Sequence, residues 1–173
     1  MVNRILICGD SFSADWSRKT AKDGWPNLLA KKYEVTNLSQ AGCGQYKIFR
    51  QLKKSDINSF QTIIVSHTSP YRVHVTEHPI HDGDILHSDC DLMYEDLKSH
   101  QNVSQEIKCM VSFFEKYYDL EYAVYVHGLI CKDIESYLEN FQGKVLHMRN
   151  IPWDGFYCFP DMLDNSDVFL SHR

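Results

Sequence analysis

The stretch Ile5-Leu6-Ile7-Cys8-Gly9-Asp10-Ser11-Phe12-Ser13 decides how this chain is read. Ile5 to Cys8 is a short apolar run, rich in β-branched residues and too short for a helix, which predicts a fully buried strand. Gly9 lets the backbone turn where that strand ends. Asp10 and Ser11 then fall at its carboxyl end, where open α/β sheets place their ligands. If the turn leads into a helix, the free N–H groups there point at an anion or an oxyanion. A serine so placed is either a nucleophile or a helix cap, and the nonapeptide alone leaves both open.

Outward from this stretch the chain alternates. Gly24 to Lys32 reads as a helix, with Pro26 in its first turn and Lys31 and Lys32 at the end that suits cations. Tyr33 to Leu38 reads as a second strand, followed by a loop whose glycines, Gly42 and Gly44, mark close backbone approach. Ile48, Phe49 and Leu52 recur at helical spacing within Tyr46–Lys54, and Thr62 to Ser66 is a third buried strand. From His67 to about Gln101 no period is found, so a long insertion follows the third strand. A helix resumes near Gln101 with Val103, Ile107, Met110, Val111 and Phe114 on one face. Tyr122 to His127 reads as a fourth strand, Cys131 to Phe141 as a helix closed by Gly143, and Lys144 to His147 as a fifth strand. The remainder, Met148 to Arg173, reads as irregular. This predicts an α/β fold: a mainly parallel five-stranded sheet with helices on both faces, in three αβα layers. The loops after strands one, two and three then converge on one edge, bringing Asp10-Ser11, Gly42 and His67-Thr68-Ser69 together.

At 173 residues the chain reads as a single domain, 1–173. A net charge of -5 argues against general binding of nucleic acid or an anionic membrane. No run of about 20 apolar residues could span a bilayer. Met1 leads straight into the first strand, which leaves no room for a signal peptide. The six cysteines form no CxxC pair and read as reduced thiols of a cytoplasmic protein.

Two of the loops carry a family resemblance. Gly9-Asp10-Ser11-Phe12-Ser13 resembles block I of the SGNH (GDSL) hydrolases, with Phe where Leu is usual. Asn37-Leu38-Ser39-Gln40-Ala41-Gly42 resembles block II, and Trp25-Pro26-x-Leu28-Leu29 is similar to the first helix of small bacterial members. His67-Thr68-Ser69-Pro70-x-Arg72 resembles uncharacterised SGNH-like proteins of bacteriophages and bacteria. The resemblance covers residues 4–66 and implies a flavodoxin-like fold and acyl-ester chemistry. Ser11 would attack a carbonyl, and its own N–H and that of Gly42 would hold the oxyanion. Such donors are worth ~10²–10³ in rate each. The serine would need an adjacent base.

The chain departs from the family pattern twice. Where block III carries Gly-x-Asn-Asp, the third strand runs into Ser66-His67-Thr68-Ser69, so Ser69 stands at the asparagine position, with His67 and Thr68 as other donors. The Asp-x-x-His of block V is missing. Asp154 has Tyr157 at the histidine position, while Asp167 and His172 lie five apart with no closing helix after them. The expectation is a sequence truncated before or within block V, with Asp167 and His172 as candidate triad members.

The insertion has its own pattern. His67, His74, His78, His81, His87 and Cys90 fall within a short span, interleaved with Asp82, Asp84, Asp89 and Asp91. They are a transition-metal ligand set, the hydrogen-bonding residues of a surface lid, or the source of a substitute base for Ser11. Arg72 is suited to hold a substrate carboxylate or phosphate, or to pair with Asp10. Trp16, Trp25 and Trp153 line a pocket or pack the core. The function expected first is an SGNH-type serine esterase that acts without a cofactor on a small acyl ester or an O-acetylated carbohydrate. The alternatives are a catalytically incomplete binding protein and a metal-dependent hydrolase using the histidine-rich insertion.

Overall fold

The computed structural model describes residues 3–20, 22–81 and 83–149, together with the backbone pairing of residues 163–164. The fold is mixed α/β around a parallel sheet. Its strands are β1 (Arg4–Gly9), β2 (Glu34–Asn37), β3 (Thr62–His67) and β6 (Lys144–Arg149), with the two-residue β7 (Leu163–Asp164) beside β6. The order across the sheet is β2-β1-β3-β6-β7, and every pairing in it is parallel. A two-residue ladder, β4 (Arg72–Val73) with β5 (Leu92–Met93), stands apart from it.

The central strands are apolar on both faces because helices cover both. Leu6 and Cys8 of β1 and Ile63 and Val65 of β3 point to one side. There they meet Ile48, Phe49 and Leu52 of α3 (Gln45–Lys53) and Ile134 and Leu138 of α6 (Leu120–Leu138). Ile5, Ile7 and Ile64 point to the other side, against Trp25 and Leu29 of α2 (Trp25–Ala30). Each fully buried side chain of this size contributes about 1.5–3 kcal/mol. A separate cluster joins Leu92, Leu97 of α4 (Tyr94–Ser99), and Ile107, Val111 and Phe114 of α5 (Gln105–Lys116). A four-residue α1 (Ser17–Thr20) interrupts the connection after β1.

One predicted strand is a helix. Tyr122–His127 lies in the first half of α6, and the helix expected at Cys131–Phe141 is the second half of the same 19-residue element. Asp119 caps it by accepting the Tyr122 N–H at 3.0 Å. His127, Cys131, Ile134 and Leu138 form one buried stripe, while Tyr122, Tyr125 and Leu129 face outward. The aromatics that suggested a strand thus lie on the exposed side of an amphipathic helix, with Val124 and Val126 half-buried on its flanks. The expected featureless insertion also holds β4, β5 and α4. No helix among the described residues is long and apolar enough to cross a membrane. The expectations for Asp154, Tyr157, Asp167, His172 and a missing closing helix lie outside the described residues.

Candidate active site

The turn after β1 is built from the inside outward. Gln51, on α3, takes the Gly9 N–H on its Oε1 at 2.8 Å and returns its Nε2–H to the Gly9 carbonyl at 3.2 Å. Asp10 then folds the chain back, accepting the Phe12 N–H on its carboxylate and the Ser13 N–H on its carbonyl, each at 3.1 Å. Two indoles fix the outer side. Trp16 Nε1–H donates to the Ser11 carbonyl at 2.6 Å, and Trp25 Nε1–H to the Phe12 carbonyl at 2.9 Å. Residues 10–13 form a turn, and the next helix begins only at Ser17. Ser11 therefore does not cap a helix. Trp16 and Trp25 act here as clamps on the serine turn; Trp153 lies outside the described residues.

The loop after β2 lies against this turn. Gln40 N–H donates to the Gly9 carbonyl at 3.1 Å, and the Asn37 side chain donates to the Ser13 carbonyl at 2.8 Å while accepting the Ser39 N–H at 3.0 Å. Asn37 thereby ties the two loops together. Gly42 has φ +78°, where a side chain is strained, and its missing Cβ would run into Cys90. Among the described residues, neither the Ser11 N–H nor the Gly42 N–H finds an acceptor. Buried backbone donors are rarely left without a partner. Gly42 is buried and Ser11 half-buried.

The loop after β3 starts level with the serine turn, because Ser66 registers against Gly9. Asp10 is almost fully buried, and burial pushes its carboxyl up to about 6. The Phe12 N–H, the Thr68 hydroxyl and the Arg72 guanidinium, in that order, pull it back down. Of the two roles weighed for Arg72, the structure places it within electrostatic reach of Asp10. Its Nε is buried and without a hydrogen bond. Ser69 and Arg72 line a cavity of about 670 Å³ whose wall includes Tyr46, Tyr118 and Tyr122; Ser11 and Gly42 do not line it.

The described histidines near the sheet are committed elsewhere. His67 is fully buried, with Nδ1 2.7 Å from Gln45 Nε2 and Nε2 2.9 Å from His147 Nδ1. Its place is the interior, and burial, then His147 and His127, hold its pKa far below the ordinary value. His127 Nε2 donates to the Thr68 carbonyl at 2.8 Å. Burial lowers the pKa of His127 too, and takes that of His147 down to about 4. Sequence reasoning missed this Gln45–His67–His147 chain, because it depends on which strands become neighbours. Among the described residues no side chain hydrogen-bonds the Ser11 hydroxyl.

The insertion packs against the same edge. Ala41 N–H donates to the Leu86 carbonyl at 2.7 Å, and Asp91 N–H to the Gly42 carbonyl at 3.0 Å. Asp91 is a hub: its carboxylate takes Gly44 N–H, Val75 N–H, His74 Nδ1 and the buried Lys47 ammonium. His74 thus serves Asp91. His78, His81 and Cys90 are brought close together as one group, and His81, Asp84 and His87 as another that shares His81. The five described cysteines are free thiols. Compared with known proteins, the chain matches no family model and no curated sequence.

Proposed function

We propose that the chain is an SGNH-type serine hydrolase, built on a flavodoxin-like three-layer fold, that cleaves a small acyl ester or removes O-acetyl groups from a carbohydrate. One observation carries this reading: the two backbone N–H groups that would bind an oxyanion, those of Ser11 and Gly42, both lack acceptors among the described residues. The strand order β2-β1-β3-β6-β7 supports it, since it is the doubly wound order that places ligands where the loops after β1 and β3 part.

In this chemistry the Ser11 Oγ adds to the ester carbonyl as its proton passes to a base. The carbonyl oxygen becomes an oxyanion held by the Ser11 and Gly42 N–H groups. Collapse expels the alcohol, which takes the proton back from the base, and leaves an acyl-serine. Water, deprotonated by the same base, then releases the acid and restores Ser11. His172, with Asp167, is the candidate base from the sequence. Hydrolysis of an aryl acetate by the native chain, reduced at least ~10³-fold in Ser11→Ala, tests the proposal; equal rates would overturn it.

A second reading is a binding protein that keeps the fold without turnover. It is favoured by the engagement of His67, His127 and His147 in bonds to Gln45, to each other and to the Thr68 carbonyl, with none of them hydrogen-bonded to the Ser11 hydroxyl among the described residues. Retained binding of an acylated sugar with no hydrolysis would support it.

A further inference from the structure

We propose that His78, His81, His87 and Cys90 form a zinc site that clips the insertion onto the wall of the candidate active site. The four residues read H-x2-H-x5-H-x2-C, two pairs each separated by two residues. Paired short spacings of this kind let one loop present several ligands to one ion, and imidazole with thiolate is a donor set suited to zinc.

The geometry carries the assignment. One potential ligand atom from each of His78, His81 and Cys90 lies within 4.8 Å of the other two, and the same holds for His81, Asp84 and His87. Zinc bonds of about 2.0–2.3 Å put tetrahedral ligand atoms about 3.3–3.8 Å apart, so the first triad needs only a small contraction. His87 belongs to the second triad: its ring stacks on His81 at 4.6 Å, and the His78 ring lies 4.7 Å from His81. The buried His87 Nδ1, without a hydrogen bond, is 3.2 Å from Asp84 Oδ2, so His87 closes the fourth position by turning from Asp84 toward the ion. Asp84 is left out because Lys19 and the Leu86 N–H already hold its carboxylate.

Two details point to an ion. His78 Nε2 is buried, its side chain 2% exposed, with no hydrogen bond and Asp96 Oδ2 3.7 Å away. Such orphans call for a partner. His81 Nε2 lies 2.9 Å from Asp96 Oδ2, which holds its proton on Nε2 and leaves Nδ1 free to ligate. This carboxylate behind an imidazole is the usual outer support of a metal-bound histidine. Ligation through His78 Nε2 moves that ring's proton to Nδ1 and so gives up the 3.2 Å bond Nδ1 accepts from the Ile80 N–H.

Four protein ligands make a closed site, which is structural in character. Its place gives it a consequence. Cys90 packs on Gly42, Leu86 takes the Ala41 N–H, and the His87 ring meets Trp16, the residue that holds the Ser11 carbonyl. The ion would therefore stiffen both loops that frame Ser11, whatever chemistry occurs there.

The test uses the full chain without a histidine tag, stripped by chelator and titrated with zinc alone, with bound metal and Tm as readouts. The expected result is one zinc per chain and a higher Tm with metal than without. Cobalt in place of zinc should give a thiolate-to-metal absorption band that vanishes in Cys90→Ser. Asp96→Asn should weaken zinc binding about 10–100-fold, and His81→Ala by more. Native chain that takes up no zinc and shows no Tm change would overturn the proposal. So would undiminished binding in Cys90→Ser and His81→Ala, or a cobalt complex of the native chain without the thiolate band. None of these readouts depends on ester hydrolysis.

Discussion

Lys47 Nζ and Asp91 Oδ1 meet at 2.9 Å inside the protein, with both side chains more than nine-tenths buried. The pair fastens the insertion to α3, and the Asp91 carboxylate also receives the Gly44 and Val75 N–H groups. Asp91→Ala leaves two amides without their acceptor and the buried Lys47 ammonium with only the Cys90 carbonyl and no counter-charge. Removing one partner of a buried pair costs about 3–5 kcal/mol. Urea unfolding should show a loss of that size; a change below about 1 kcal/mol would contradict the role assigned to Asp91.

Gly42 and Gly83 form a matched comparison. Both have positive φ, +78° and +74°, but a Cβ on Gly83 meets open space while one on Gly42 meets Cys90. Gly83→Ala should cost only the backbone term of about 1–2 kcal/mol. Gly42→Ala should cost more and should also slow ester cleavage, because it displaces the proposed oxyanion donor. Equal losses in the two variants would show that the contact with Cys90 does not matter.

Trp16→Phe keeps a ring beside His87 and loses the 2.6 Å hydrogen bond to the Ser11 carbonyl. A bond of this kind contributes about 0.5–1.5 kcal/mol. The expected signature is a modest fall in Tm with a larger fall in turnover, since the released turn carries Ser11. A fall in Tm without a change in rate would place the clamp outside function.

Stability should depend on pH through the buried histidines. His67, His127 and His147 all have lowered pKa values in the folded chain, His147 at about 4 against an ordinary 6.5. Between those values the unfolded chain binds more protons, so stability is full above pH 6.5 and is lost as pH falls toward 4. Each such histidine contributes a slope approaching about 1.4 kcal/mol per pH unit. Asp10, raised from 3.8 to about 6, works in the opposite sense over that interval, but it is one group against four, since burial also lowers His78 to about 4. Urea midpoints should therefore fall from pH 7 to pH 5, and His147→Gln should flatten the dependence. A midpoint that does not change with pH would contradict the buried, neutral state of these rings.

Much of the sheet was legible because Ile5–Cys8 and Ile63–Val65 are apolar runs, a mark that central parallel strands leave, while Lys144–His147 shows only Val145 and Leu146 between polar ends. Tyr122–His127 misled because six residues of β-branched and aromatic character do not reveal their period. The buried stripe His127, Cys131, Ile134, Leu138 shows it only when Asp119 is taken as the cap of one long helix. At the site, Asp10-Ser11 and Gly42 could be located from strand ends alone. The Lys47–Asp91 pair and the His67–His147 contact could not, because each joins segments whose proximity the fold creates. His78, His81, His87 and Cys90 were legible as a dense run of ligand types within one stretch, but their spacing does not say which of them converge.

The central claim is that Ser11 is an activated nucleophile. Native chain and Ser11→Ala should be treated with a serine-reactive fluorophosphonate and the adduct located by mass spectrometry. One adduct is expected, on Ser11, absent from the variant. A folded native chain that stays unlabelled, or one labelled at another residue and equally in Ser11→Ala, would contradict it.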